Sequence, residues 1–261
     1  MSPRLLFLAA YMCSGLAGLI YEVSWTRLLT LHMGHSLAAA STVVAAFMGG
    51  LAAGSILAGR VAPRLTPTES LYTYIALEVA VGVIAIAVPY ELTGLTPLLV
   101  WSYRNGSPGF LFATIRLASC LTLMFIPALA LGATFPIAVR WFARPGEAGR
   151  GSGLLYAANS AGAAAGALGA GFVLIPAIGV RGTTFAGVAA GALAVFATLV
   201  VVRRAPGGLP SAASTATRSR NRVRSDPRSA SNSVHARSLS RGPSWLAAAA
   251  LGLSGFVALM Y

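Results

Sequence analysis

The chain has very little charge for its length. Of its 261 residues, 10% are charged and 56% are hydrophobic, whereas soluble domains carry roughly 25% charged residues. Lysine is absent, and only six residues are acidic. An ordinary water-soluble enzyme is therefore nearly excluded. A β-barrel is also excluded, because the apolar runs are long and do not alternate with polar residues.

Potential metal ligands are equally scarce. The only cysteines, Cys13 and Cys120, fall inside apolar runs, so neither a disulfide nor a metal-ligand spacing is indicated. His32 and His35 are three residues apart, but no acid or cysteine lies near them in sequence. We therefore expect these histidines in an interfacial loop, and we predict no metal, no cofactor and no catalytic residue in this chain.

What the sequence does contain is a series of long apolar runs. Six have about the twenty residues that a helix needs to cross a bilayer, and a seventh begins at Trp245. In lipid the backbone must satisfy its own hydrogen bonds, so the runs are predicted to be helices. The six cover residues 5–25, 37–59, 71–90, 110–133, 153–178 and 183–202. The predicted fold is an all-α polytopic membrane protein of six transmembrane helices plus the start of a seventh.

The basic residues are concentrated in one segment. Seven of the 19 arginines lie between residues 205 and 243, a stretch rich in Ser, Ala and Pro with few large apolar residues. Such a segment cannot bury enough surface to fold, so a disordered cytoplasmic linker is predicted. Binding of RNA or anionic lipid is a weaker alternative, and no nucleic-acid partner is predicted. The expected organisation is a six-helix unit (1–204), this linker (205–243) and a seventh helix (244–261).

The remaining arginines indicate an orientation. With the N-terminus inside, the cytoplasmic ends of the runs hold eight arginines and the opposite side holds three. Cytoplasmic loops carry an excess of basic residues. The sequence therefore predicts a cytoplasmic N-terminus.

A short internal repeat links the first and seventh runs. At an offset of 240 residues, six of fourteen positions are identical, including Ser14, Gly15 and Tyr21 against Ser254, Gly255 and Tyr261. We interpret this as the start of a second six-helix copy. Two same-orientation copies joined by a cytoplasmic loop are the plan of the major facilitator transporters. The partner of the six-helix unit is then a second repeat or a second copy of the chain.

Several motifs together resemble one protein family. They are SGLAGLIYEVSWTR from Ser14, AAFMGGLAAGS from Ala45, LGATFP from Leu131, GLLYAANSAGAAAG from Gly153 and PAIGVRG from Pro176. As a set they resemble the membrane part of bacterial fused facilitator/spermidine-synthase-like proteins. The resemblance covers roughly residues 5–202 and the start of the seventh run.

The resemblance implies a location and two functional alternatives. The location is the bacterial cytoplasmic (inner) membrane, and the family carries a C-terminal aminopropyltransferase-like domain whose catalytic residues this chain lacks. One alternative is a module that carries or senses a small cationic solute such as a polyamine. The other is a non-transporting anchor or scaffold for the synthase-like domain.

Ionisable residues inside the predicted spans are the first candidate sites, because an unpaired charge in hydrocarbon is costly. At about 1.5 Å per residue, Glu22 and Arg116 both fall in the outer third of the bilayer. We predict an ion pair between them, with Arg27 as the competing partner. Such a pair is either a gate or cation-linked site, or purely structural.

A second candidate pairs Glu78 with Asn159. Both are predicted about 10 Å from the inner surface, on helices that run in the same direction. A carboxylate facing a cavity would suit a cationic substrate. Hydrogen bonding between helices is the slightly favoured alternative.

Spaced glycines and aromatic residues complete the sequence predictions. Three pairs with GxxxG spacing are expected to let helices approach closely: Gly50 and Gly54, Gly162 and Gly166, Gly187 and Gly191. Aromatic residues near the span ends, namely Tyr21, Trp25, Tyr90, Trp101, Tyr103 and Trp141, are expected at the membrane interfaces. Pro127, Pro136 and Pro176 are expected to kink or end their helices.

Overall fold

The protein is all-helical throughout the part that the structure, a computed structural model, describes: residues 2–33, 37–102, 110–143 and 148–204. The helices are α1 (Pro3–Met33), α2 (Leu37–Val61), α3 (Pro67–Ser102), α4 (Phe110–Phe142), α5 (Ala148–Leu168) and α6 (Ile175–Arg204). A 3₁₀ turn, Ala62–Arg64, follows α2, and a π-helical segment, Gly169–Leu174, joins α5 to α6. The predicted linker and seventh helix lie outside the described residues.

Two clusters of buried side chains show how the helices run. The near cluster contains the start of α1 and draws on all six helices: Phe7, Ala58, Leu71, Trp141, Leu155 and Val201. The far cluster contains the other end of α1 and includes Trp25, Phe47, Val88 and Met124. Val188 of α6 packs against it. Odd-numbered helices begin at the near cluster, whereas α2, α4 and α6 end there. Successive helices therefore alternate in direction.

The reversal between α5 and α6 takes place without a loop. Helical hydrogen bonding is continuous from Ala148 to Arg204 except at Gly179, which has φ 70° and ψ 175°. This is the one positive φ among the described residues, and only glycine adopts this region readily. A straight helix of this length would extend about 84 Å, far beyond a bilayer core of about 30 Å. Gly179 therefore places the turn that the apolar runs predicted between residues 178 and 183.

Five helical stretches of the described chain are long and apolar enough to cross a membrane, and the fifth, Gly149–Arg204, contains both α5 and α6. Large apolar side chains point outward on every helix, among them Leu5, Ile56, Val83, Phe110, Leu154 and Phe196. A soluble protein of this size rarely exposes so continuous an apolar surface. The fold is compatible with a membrane protein.

The helices extend further than the apolar runs predicted. α1 continues to Met33 and so includes His32, which was expected in a loop, while His35 lies outside the described residues. Pro127 and Pro136 lie inside α4 and do not end it. Neighbouring groups can occupy the carbonyls that proline leaves free.

The near end of α3 is closed by a capping box. The Thr66 N–H donates to Glu69 Oε2 at 2.7 Å, and the Glu69 N–H donates to Thr66 Oγ1 at 3.3 Å. These reciprocal bonds satisfy helix N-terminal donors, and Pro67 occupies the first helical position. Arg140 Nε of α4 donates to the Leu65 carbonyl at 2.9 Å. The α2–α3 connection is thereby tied to the end of α4.

Candidate functional site

Among the described residues, the most deeply buried carboxyl group lies about a third of the way along α3. This residue, Glu78, is 5% exposed. Along α3 it lies between Leu71 of the near cluster and Val81 of the far cluster. It lies eleven residues, about 16 Å, from the start of its helix. The carboxyl is therefore near the middle of the bundle, deeper than the sequence estimate of about 10 Å, because α3 begins at Pro67 and not at Leu71.

The first partner of Glu78 comes from α1. Ser14 Oγ donates a short hydrogen bond to Glu78 Oε1. Ser14 is itself 3% exposed, so the pair is removed from the surface. A hydroxyl donor partly offsets the cost of burying the carboxyl group.

Three tyrosines surround this pair. Tyr74 lies one helical turn before Glu78, and its hydroxyl is close to both Glu78 and Ser14. The Tyr11 ring lies 6.0 Å from the Tyr74 ring. Both tyrosines are at most 1% exposed, and Tyr21 is 2% exposed. The carboxyl therefore lies among buried aromatic side chains, with the Tyr74 hydroxyl beside it.

The third side of the site is formed by α6, which presents a buried glycine there and no side chain. A Cβ built on Gly191 would lie 3.4 Å from the Tyr21 hydroxyl and 4.0 Å from Glu78 Oε2. Both polar groups thus face the same glycine. We call Ser14, Tyr21, Tyr74, Glu78 and Gly191 the Glu78 centre; it joins α1, α3 and α6.

Hydrogen bonding at the Glu78 centre is incomplete. Within the described part of the chain, the buried Tyr21 hydroxyl makes no hydrogen bond, and the buried Tyr74 hydroxyl lies close to Ser14 and Glu78 without a well-aligned bond to either. One helical turn along α1, Ser24 Oγ and Trp25 Nε1 are also buried without a partner. Most buried polar atoms in proteins are paired, with protein or with water. Hydrogen-bonding capacity therefore remains at the centre for a further polar group.

Asn159 lies close to the Glu78 centre but on another face of α1. Its carbonyl and its Oδ1 face Gly15, which has no side chain to keep α5 away. Ser14 faces α3 and Gly15 faces α5, so the two predicted site residues contact neighbouring positions of one helix. The polar site shared by Glu78 and Asn159 therefore stays a prediction.

The predicted Glu22–Arg116 pair is only partly described. Glu22 is half-buried on α1, next to Tyr21 of the Glu78 centre. Arg27 is exposed near the far end of α1. Arg116 belongs to α4, but its side chain lies outside the described residues. The ion pair therefore stays a prediction.

The six glycines with GxxxG spacing lie at contacts between helices. Gly50 and Gly54 of α2 face the backbone of α4, and Gly162 and Gly166 of α5 face the backbone of α1 at Met12 and Leu16. Gly187 of α6 faces the Tyr21 ring, with a built Cβ 2.7 Å from it. Because a side chain at these positions would meet backbone or a packed ring, the glycines set the distances between helices.

The tyrosines of the centre were not predicted as site residues, and several aromatic residues are more buried than expected. Tyr21, Trp25 and Trp141 were expected at the interfaces, but they are buried at 3% exposure or less, whereas Tyr90 and Trp101 are exposed. Tyr103 lies outside the described residues. Ser14 and Tyr21 are seven residues apart and so share a helical face. Both belong to the internal repeat, a signal that could have identified them.

No protein-family model, curated protein sequence or solved structure matches the chain.

Proposed function

We propose that the chain is an integral membrane module that crosses the bacterial cytoplasmic membrane six times with its N-terminus inside, and that the Glu78 centre binds a small cation or a proton. A polyamine is the cationic solute that the family resemblance favours. On this proposal the chain is half of a carrier of the facilitator type, completed by a second six-helix repeat or a second copy. It catalyses no reaction by itself.

Alternation of the helices supports six crossings. α5 and α6 are joined into one helical stretch, yet the start of α5 and the end of α6 both lie at the near cluster, with a non-helical residue, Gly179, between them. α5 and α6 are therefore counted as separate crossings. The outward-facing apolar side chains on all helices support their contact with lipid.

Exposed arginines support the orientation. The end of the bundle that holds the near cluster carries six exposed arginines in the described residues: Arg60, Arg64, Arg140, Arg150, Arg203 and Arg204. The other end carries Arg27 and Arg181. This asymmetry favours a cytoplasmic near end.

The orientation predicts a labelling pattern. In a background with Cys13 and Cys120 replaced by serine, Arg64→Cys is expected to resist a membrane-impermeant maleimide in intact cells and to react after lysis. Arg181→Cys is expected to react in intact cells. Both positions are exposed, so the membrane alone decides their access. The opposite pattern would contradict the proposed orientation, and labelling of both in intact cells would contradict the membrane placement.

One observation carries the proposed binding role: a buried carboxyl near the middle of the bundle lies close to the buried Ser14, Tyr74 and Tyr21 hydroxyls, and the Tyr21 hydroxyl makes no hydrogen bond within the described residues. In apolar surroundings a carboxylate is stable only when a proton, a cation or several donors accompany it. Ser14 supplies one donor. The Tyr21 and Tyr74 hydroxyls supply the further ligands, and their rings favour a cation.

The internal repeat gives independent support. Ser14 and Tyr21, the α1 members of the Glu78 centre, recur in the seventh apolar run as Ser254 and Tyr261 at the same spacing. A second repeat that presents the same helical face is what a two-fold carrier requires.

Glu78→Gln tests the proposal directly. The substitution keeps the size of the side chain and a partner for Ser14 but removes the ionisable group. In proteoliposomes containing the full-length protein, we expect putrescine binding and pH-gradient-driven uptake to fall about tenfold or more, the usual scale for loss of a charged hydrogen-bonded partner. Glu91→Gln is the matched control, because Glu91 is exposed on the same helix. Equal activity of Glu78→Gln and the wild type would refute the assigned site.

Enclosure of the centre favours the second candidate, a non-transporting anchor or scaffold. Glu78, Tyr74 and Ser14 are each at most 5% exposed, so a solute reaches the carboxyl only if helices separate. A purely structural hydrogen-bonded core needs no such movement. If wild-type protein neither binds a polyamine nor moves protons, and the codons after Tyr261 encode a nucleoside-binding domain, the anchor is the better assignment.

A further inference from the structure

We propose that the near end of the bundle carries a binding site for the phosphate of an anionic membrane lipid, between the start of α1, the end of α4 and the start of α5. A cavity of about 280 Å³ is found there. It is lined by Arg4, Leu5, Leu8, Phe142, Arg150, Gly151 and Leu154. The site depends on the membrane placement proposed above but not on any role of Glu78.

Arg4 lines this cavity and is held in place by contacts with Phe142. Its Nη2 donates to the Phe142 carbonyl at 2.9 Å, and its guanidinium lies 5.3 Å from the centre of the Phe142 ring. The carbonyl belongs to the last turn of α4, where a cation is stabilised by the helix dipole. Arg4 is therefore held in one orientation, which lowers the entropy cost of binding an anion.

Arg150 adds a second positive charge at an unusual position. It lies in the first turn of α5, which contains no acidic residue. Cations are disfavoured at helix N-termini, where the dipole is positive. Arg150 and the first N–H groups of α5 therefore add positive potential to the cavity that Arg4 lines, which favours an anion there.

Apolar walls identify the anion as part of a lipid. Leu5 is 56% exposed and Leu154 is 49% exposed on the outer surface of the bundle. A free phosphate ion makes no favourable contact with these apolar side chains. The acyl chain of a lipid would cover both leucines while the headgroup of the same lipid contacts the arginines. Paired arginines bind phosphate oxygens with strong charge-assisted hydrogen bonds.

Native mass spectrometry with defined lipids tests the proposal. The full-length protein, delipidated in a neutral detergent, is titrated with phosphatidylglycerol or phosphatidylcholine. We expect one phosphatidylglycerol molecule to bind about tenfold more tightly than phosphatidylcholine, and Arg150→Gln to weaken this binding about tenfold. Arg150→Gln leaves the bonds between Arg4 and Phe142 in place. Arg203→Gln is the control, since it removes one exposed charge from the same end outside the cavity.

Three outcomes would overturn the proposal. Equal binding of both lipids, or equal losses in Arg150→Gln and Arg203→Gln, would indicate a non-specific attraction. Full competition by millimolar inorganic phosphate would show a site for the free ion. Glu147 directly precedes α5 in the sequence. If phosphatidylglycerol bound only to the Glu147→Gln variant and not to the wild type, the chain's own carboxylate would be the anion that fills the cavity. If the proposed membrane placement is wrong, the labelling pattern expected for Arg64→Cys and Arg181→Cys will not be observed. If only the lipid site is wrong, that labelling pattern will still be observed.

Discussion

Replacing Gly54 by alanine is expected to destabilise the protein by about 2 kcal/mol or more, the scale of overpacking in a core without free space. A Cβ on Gly54 would collide with the carbonyl oxygen of Leu129 and lie 2.8 Å from the carbonyl carbon and 3.0 Å from the Ala133 nitrogen. Because these are backbone atoms of α4, a rotamer change cannot relieve the collision. The two helices must move apart.

The effect is measured as a fall in the midpoint of thermal unfolding in detergent. Gly59→Ala is the matched control, since Gly59 is exposed on the same helix with no atom within 4 Å of a built Cβ. Alanine there is expected to be neutral or stabilising by up to about 1 kcal/mol. Equal midpoints for the two variants would show that α2 and α4 are not packed backbone to backbone.

Replacing Gly179 by alanine is expected to cost about 1–3 kcal/mol for a different reason. No atom lies within 4 Å of a Cβ built at Gly179, so the cost arises from the backbone. With φ 70° and ψ 175°, this residue occupies a region that side chains with a Cβ rarely adopt. Alanine favours continuation of the helix, which opposes the reversal between α5 and α6.

Gly171→Ala is the control for this prediction. Gly171 lies in the π-helical segment of the same stretch, its φ is negative, and a built Cβ there meets no atom within 4 Å. The unfolding midpoint of Gly179→Ala is therefore expected to drop while that of Gly171→Ala stays close to the wild type. If both variants unfold like the wild type, Gly179 is not the point at which the chain turns.

The sequence predicted helices well and their ends poorly. Long apolar runs with little charge allow no other structure in lipid, so α1 to α4 and α6 each contain one of the predicted runs. The fifth run, 153–178, extends from α5 through the π-helical segment into the start of α6. The predicted and observed helix ends differ because hydropathy identifies only the apolar portion of a helix, and a helix can continue beyond it. α3, for example, continues for twelve residues beyond the predicted end at Tyr90.

The candidate site was only half predictable. A lone glutamate in an apolar run stands out, because burial of its charge is costly, and Glu78 was identified in this way. Its partners were not, since Ser14 and Tyr21 are ordinary residues for a membrane helix. They become a site only because α1 and α3 pack with these faces together.

The sequence by itself determined that this chain is a set of apolar helices with an excess of arginine at one set of ends, because composition and run length decide transfer into lipid residue by residue. Only the tertiary structure decided which faces meet: glycines against backbone, Arg4 against the end of α4, and Ser14 and Tyr74 against Glu78. Such contacts join residues far apart in the chain, and their geometry depends on the packing of whole helices.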